Sequence, residues 1–166
     1  IGELATRRLI DDGCRRILCL RSNSRMRMPA NKRTDAYLDV VEQAGLSALV
    51  REVEFVKPDD EKGAVVAKIL DENPDIDGIF AGDDTMAAIC LNVMKQRGLS
   101  APDDIKVVGA DGARRTMTFM PDLTTVRQDI DRIGELAAQS IIALINGDNP
   151  ESNIKLPVEL IEGKTA

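Results

Sequence analysis

Short apolar runs alternate along this chain with longer stretches whose apolar residues recur every three or four positions, and that alternation constrains the fold more than any other feature. The runs Ile17 to Leu20, Val50 to Val56, Gly78 to Ala81 and Lys106 to Ala110 predict strands. Between them, helices are expected from Thr34 or Asp35 to Ala44, from Pro58-Asp-Asp60 to the residue before Pro74, and from Thr85 to Arg97. A helix over Gly2 to Asp12 precedes the series, Gly13 being able to end it. Strand, loop and helix repeated in this order make an α/β fold: a largely parallel sheet sandwiched by helices and joined by right-handed crossovers. Ile130 to Ile145 reads as a strongly amphipathic helix, broken by Gly147-Asp-Asn-Pro150, and Lys155 to Ile161 as a last strand.

Composition narrows the function. With 166 residues, 43% of them apolar, the chain can bury a sizeable core, and no apolar run approaches the ~20 residues of a membrane span, so no membrane partner is expected. The net charge of −6, with Lys and Arg scattered, makes this stretch a poor binder of nucleic acid by itself. Histidine is absent, which removes the commonest general base and transition-metal ligand. Cys14, Cys19 and Cys90 are odd in number, lack metal-type spacing and sit in or beside apolar runs, so they read as reduced packing residues, consistent with cytosol. Neither metal nor cofactor is expected. The chain opens on Ile1, not on an initiator residue, so further sequence upstream is expected.

Open parallel sheets bind ligands beyond the carboxyl ends of their strands. Those ends are polar here: Arg21, Ser22 and Asn23 after the first strand, Lys57 and Asp59 after the second, Asp83 and Asp84 after the third, Asp111 and Gly112 after the fourth. Asp84, directly ahead of Thr85, reads as an N-cap. A cap needs one carboxylate, which leaves Asp83 for a ligand. Asp111 fits a ligand contact or simple turn formation with Gly112. Arg33, near a helix start where the dipole disfavours a cation, needs a partner, whether ligand or surface acid. Two carboxylates and one guanidinium suit a polyhydroxylated molecule, since carboxylates accept from vicinal hydroxyls and Arg donates in a planar fork. Sugars and nucleosides both fit.

Three segments carry a family resemblance: Ile105-Lys-Val-Val-Gly-Ala-Asp111-Gly112, Leu123-Thr-Thr-Val-Arg-Gln-Asp129 and Ile79-Phe-Ala-Gly-Asp83-Asp84-Thr-Met-Ala-Ala88. In combination the chain resembles the effector-binding core of the lactose-repressor (LacI/GalR) family of bacterial transcription regulators, from Ile1 to Thr165. The resemblance implies a periplasmic-binding-protein-like type I fold, mostly its C-terminal subdomain. Residues 1–13 would be a helix of the N-terminal subdomain, 14–125 the C-terminal effector-binding subdomain, 126–153 a return helix of the N-terminal subdomain, and 154–166 a crossing strand and tail. It further implies no catalysis, a sugar or nucleoside-like effector held by Arg33, Asp83 and Asp111, operator DNA bound through a helix-turn-helix upstream, a homodimer, and a cytoplasmic location. Two positions depart from the family pattern. Its usual Asn-Asp pair is Asp83-Asp84 here, exchanging a donor-capable amide for an acceptor, and its usual Gly three residues after Arg33 is Ala36.

Two alternatives fit parts of the same pattern. A periplasmic sugar-binding protein shares the two-lobed fold. A magnesium-dependent phosphotransfer or hydrolase domain could use Asp83, Asp84 and Asp111 at adjacent strand ends, although no nucleophile, general acid or phosphate-binding glycine loop accompanies them.

Overall fold

The computed structural model describes residues 1–23 and 30–166. Six strands form one sheet in the order β2-β1-β3-β4-β5-β6, comprising β1 (Ile17–Asn23), β2 (Leu49–Glu54), β3 (Gly78–Ala81), β4 (Lys106–Asp111), β5 (Thr124–Gln128) and β6 (Val158–Ile161). The first five run parallel and β6 pairs antiparallel with β5. The helices are α1 (Gly2–Asp11), α2 (Ala30–Gln43), α3 (Asp59–Glu72), α4 (Asp84–Gln96), α5 (Arg114–Phe119) and α6 (Ile130–Ile145).

Strand side chains alternate faces, and the two faces build two cores. Leu18, Leu20, Ile79, Ala81 and Val107 point to the side covered by α3 and α4, where they meet Val66, Ile69, Met86 and Cys90. Ile17, Cys19, Phe80, Val108, Ala110 and Val126 point to the other, against Ala5 and Leu9 of α1 and Tyr37 and Val41 of α2. The expected sandwich is therefore present.

The packing adds detail that the sequence pattern does not carry. Helix α1 buries Ala5 and Leu9 in the same core as Phe80 and Val108. Its Gly2 lies so close to α2 that an added Cβ would sit 2.0 Å from the Arg33 carbonyl oxygen, so this helix pair depends on the missing side chain. Residues 124–128, split by the expected boundary at 125, form one strand hydrogen-bonded to β4 from Val108↔Thr124 to Asp111↔Arg127. Helix α5 has no counterpart in the sequence reading.

Among the longer helices α6 stands apart: none of its residues is buried, although Ile133, Ile141, Ile142 and Leu144 are apolar and exposed. Among the described residues no helix is long and apolar enough to cross a membrane. Cys14, Cys19 and Cys90 are buried and free, and burial pushes their thiols up to about 11, 12 and 12 respectively, so they stay protonated and inert.

Tyr37 shows how α2 is fixed over the sheet. Its ring is wholly buried, while its hydroxyl donates to the Ile17 carbonyl at 2.7 Å and accepts from the Leu49 amide at 2.9 Å, joining the starts of β1 and β2. Tyr37→Phe leaves the buried Leu49 amide without that acceptor and is expected to cost about 1–3 kcal/mol, read as a lower urea midpoint at unchanged slope.

Candidate functional site

The strand order reverses at β1, with β2 on one side and β3 on the other, so the crevice at this topological switch point opens beyond the carboxyl ends of β1 and β3. Ser22 of β1 and Asp83 after β3 face each other there, the Ser22 hydroxyl donating to Asp83 Oδ2 at 3.3 Å. Arg33 reaches the same place from the first turn of α2. One guanidinium nitrogen donates to the Gly82 carbonyl at 2.5 Å and the other to Asp111 Oδ1 at 2.6 Å. Gln128, at the end of β5, donates its amide to that same Asp111 oxygen at 2.7 Å.

This ion pair is more sheltered than most of the others on the surface. The Arg33 side chain is 15% exposed and Asp111 31%, against 89% and 85% for the pair Arg114–Asp131. Solvent screening leaves exposed pairs worth little, whereas a half-sheltered, charge-assisted contact with a second acceptor on the same fork is stronger. It also answers the helix dipole, which opposes a cation in the first turn of α2.

Asp111 is held in an uncommon backbone conformation, with φ at 102°, the one non-glycine residue at positive φ among those described. Such a conformation costs about 1–3 kcal/mol and persists only where the surroundings over-determine it. Gly112 follows at φ 58°, and a Cβ there would lie 2.6 Å from the Arg127 Cβ, so the turn after β4 also requires glycine.

The helix cap expected of Asp84 is supplied by its neighbour Asp83. Asp83 is the N-cap of α4, accepting from the Met86 amide at 2.8 Å. Asp84 is the buried one, 3% exposed, and turns away from its own helix. Its Oδ2 accepts from the Gly112 amide at 2.8 Å and its Oδ1 from the Thr125 hydroxyl at 2.6 Å. Burial pushes the Asp84 carboxyl above the ordinary carboxylate range, and the Thr125 and Gly112 donors pull it partly back.

Of the sequence candidates, Arg33 and Asp111 are thus brought into contact, and Asp83 stands next to Gly82, which Arg33 also grips. Lys57 and Asp59 are taken up by local pairs with Glu61 and Lys62, and Arg21 pairs with Glu52 across β1 and β2. Gln128 was missed, although it lies inside the Leu123 to Asp129 motif. A magnesium site on the three aspartates finds no support, because both oxygens of Asp84 already accept protein donors and no three acidic, Cys or His groups cluster as ligands among the described residues.

Beside this cluster lies a cavity of about 490 Å³ lined by Gly112, Ala113, Arg127, Gln128, Asp129 and Pro157, among others. A second, of about 400 Å³, lies under α6 between Ile133, Leu136, Ile154 and Leu156. Either volume would take a small organic molecule, but neither is lined by Arg33, Asp83 or Asp111; Gln128 is where both touch the cluster.

A mostly parallel sheet covered on both faces, with charged groups gathered beyond its carboxyl edge, fits a periplasmic-binding-protein-like α/β domain. The family model described as "Periplasmic binding protein-like domain" matches residues 6–166, and the chain belongs to that family. Its relatives are LacI-family regulators. The sucrose operon repressor of Lactococcus lactis subsp. lactis is 33% identical over 162 residues, 98% of this chain and 49% of that protein. A structure of the transcriptional regulator CelR in complex with cellobiose superposes with a TM-score of 0.88 at 29% identity, covering 99% of this chain and 51% of that one. A LacI-family regulator from Arthrobacter sp. FB24 in complex with lactose gives 0.84 at 26%, covering 99% and 62%. The chain spans about half the length of the curated relatives it matches.

Strain at Asp111 can be measured. Asp111→Gly and Asp111→Ala both lose the Arg33 and Gln128 contacts, but only glycine is at ease at positive φ. The glycine variant is expected to be the more stable by about 1 kcal/mol in urea unfolding, after the entropy glycine loses on folding. Equal stability, or a more stable alanine variant, would remove the strain.

Proposed function

We propose that this chain is the effector-sensing domain of a bacterial DNA-binding regulator of the LacI type, cytoplasmic and without catalytic activity. Its effector would be a sugar or similar polyhydroxylated molecule. The observation that carries the reading is the sheltered cluster of Arg33, Asp111 and Gln128 at the carboxyl edge, with Asp83 alongside. Arg33 offers a planar donor fork, Asp111 and Asp83 offer acceptors, and Gln128 offers both, a set that matches the alternating donors and acceptors of vicinal hydroxyls. The sucrose, cellobiose and lactose named for the relatives support this class of ligand.

In this reading a second lobe, supplied by the rest of the complete protein, covers the site. Residues 126–153 would belong to it: α6 has no buried residue and leaves Ile133, Ile141, Ile142 and Leu144 exposed, and 154–166 would return the chain to the sheet. Effector would bind the closed arrangement of the lobes more tightly than the open one and so shift the balance between operator-binding and operator-releasing states of a dimer. Operator DNA would be read by a helix-turn-helix outside these residues.

Calorimetry on the complete protein with sucrose, cellobiose, lactose and ribose tests this. Asp111→Ala and Arg33→Ala should each weaken the binding sugar at least about tenfold, since each leaves a polar partner unpaired. Operator affinity without sugar should stay unchanged, and induction in an operator-release assay should be lost in Asp111→Ala. Normal induction in that variant would take Asp111 out of the site. The 166-residue chain alone should bind far more weakly than the complete protein, and micromolar binding by it would contradict the two-lobe closure.

A further inference from the structure

We propose that Asp84 is a positioning residue: a buried latch, closed by Thr125, that holds the turn after β4 so that the Asp111 carboxylate meets Arg33. The Asp84 side chain points away from its own helix. An aspartate at the first position of a helix ordinarily turns toward the free amides of its own helix, but that task belongs to Asp83. Asp84 instead spans three elements, from α4 to the Gly112 amide after β4 and to the Thr125 hydroxyl of β5. The backbone opposite leaves room for it, because a Cβ on Gly109 would lie 2.5 Å from Asp84 Oδ1. Burying a carboxylate here is unfavourable unless its acceptors are filled, and they are filled by the residue following Asp111 and by the strand beside it. Asp111 sits between two grips, Asp84 on the next amide and Arg33 with Gln128 on its side chain, which is the over-determination that its φ of 102° requires.

The inference rests on the effector reading for its functional meaning, since the group it positions is the proposed ligand contact. Its test needs no effector. Arg33→Ala, Asp111→Asn and the double variant form a cycle whose coupling is read from unfolding equilibrium constants, and in the parent chain the coupling is expected to be about tenfold. Repeated in a Thr125→Val background, which keeps the shape but removes the hydroxyl, the coupling should fall to within about twofold of none; Thr125→Ser should retain it. Undiminished coupling in Thr125→Val, with only overall stability reduced, would make Asp84 a structural residue and overturn the proposal. Should the valine variant not fold, hydrogen exchange on the parent chain decides. The Gly112 amide should exchange at least about a hundredfold slower than a free peptide, and free-peptide exchange would mean that the latch does not hold the turn. Either failure leaves the sugar calorimetry untouched, and absent sugar binding leaves the latch intact.

Discussion

A guanidinium in the first turn of a helix has the helix dipole against it and must be held by acceptors brought from elsewhere. Arg33 finds them on two neighbouring strands, at the Gly82 carbonyl after β3 and the Asp111 carboxylate at the end of β4. That single side chain therefore closes the edge of the sheet where its strand order reverses, and it ties α2, which arrives from the far side of β1, to the loops that follow β3 and β4. The close approach of Gly2 to the Arg33 backbone shows that α1 is part of the same arrangement, wedged behind the residue that does the holding.

Two adjacent aspartates show how environment divides chemically identical groups. Asp83 stays partly open to water, caps its helix and keeps a weak contact with Ser22. Asp84, one residue on, points into the sheet edge, loses its hydration and takes donors from Gly112 and Thr125. The rotation between successive residues at a helix start is enough to send one side chain to the surface and the next to the interior.

The alternation of apolar runs and amphipathic stretches made most of the architecture legible: β3 and α6 fall on the expected residues, and the other anticipated strands and helices differ only at their ends. A polar strand end likewise marks Asp111, and a cation at a helix start marks Arg33. What could not be read follows from the physics. Periodicity says that α1 has an apolar face but not which core that face enters, and its docking beside Phe80 is visible only in the folded chain. The cap was placed on Asp84 because both aspartates precede the helix and sequence carries no side-chain direction. Gln128 reaches Asp111 only because β4 and β5 pair in the register Asp111↔Arg127, a relation that appears once strands are neighbours. Helix α5, six residues long with none buried, leaves no periodic trace.

The pairing of β5 with β6 has a mechanical consequence. The chain leaves the sheet through β5 into α6 and comes back through β6, and the two strands are bonded side by side from Gln128↔Val158 to Thr125↔Ile161. Whatever moves with α6 is thus tethered by twin adjoining stalks. Sliding it along the sheet edge would tear the ladder between them, whereas twisting it about their common axis leaves the ladder whole. Gln128, at the very top of one stalk, would turn with it.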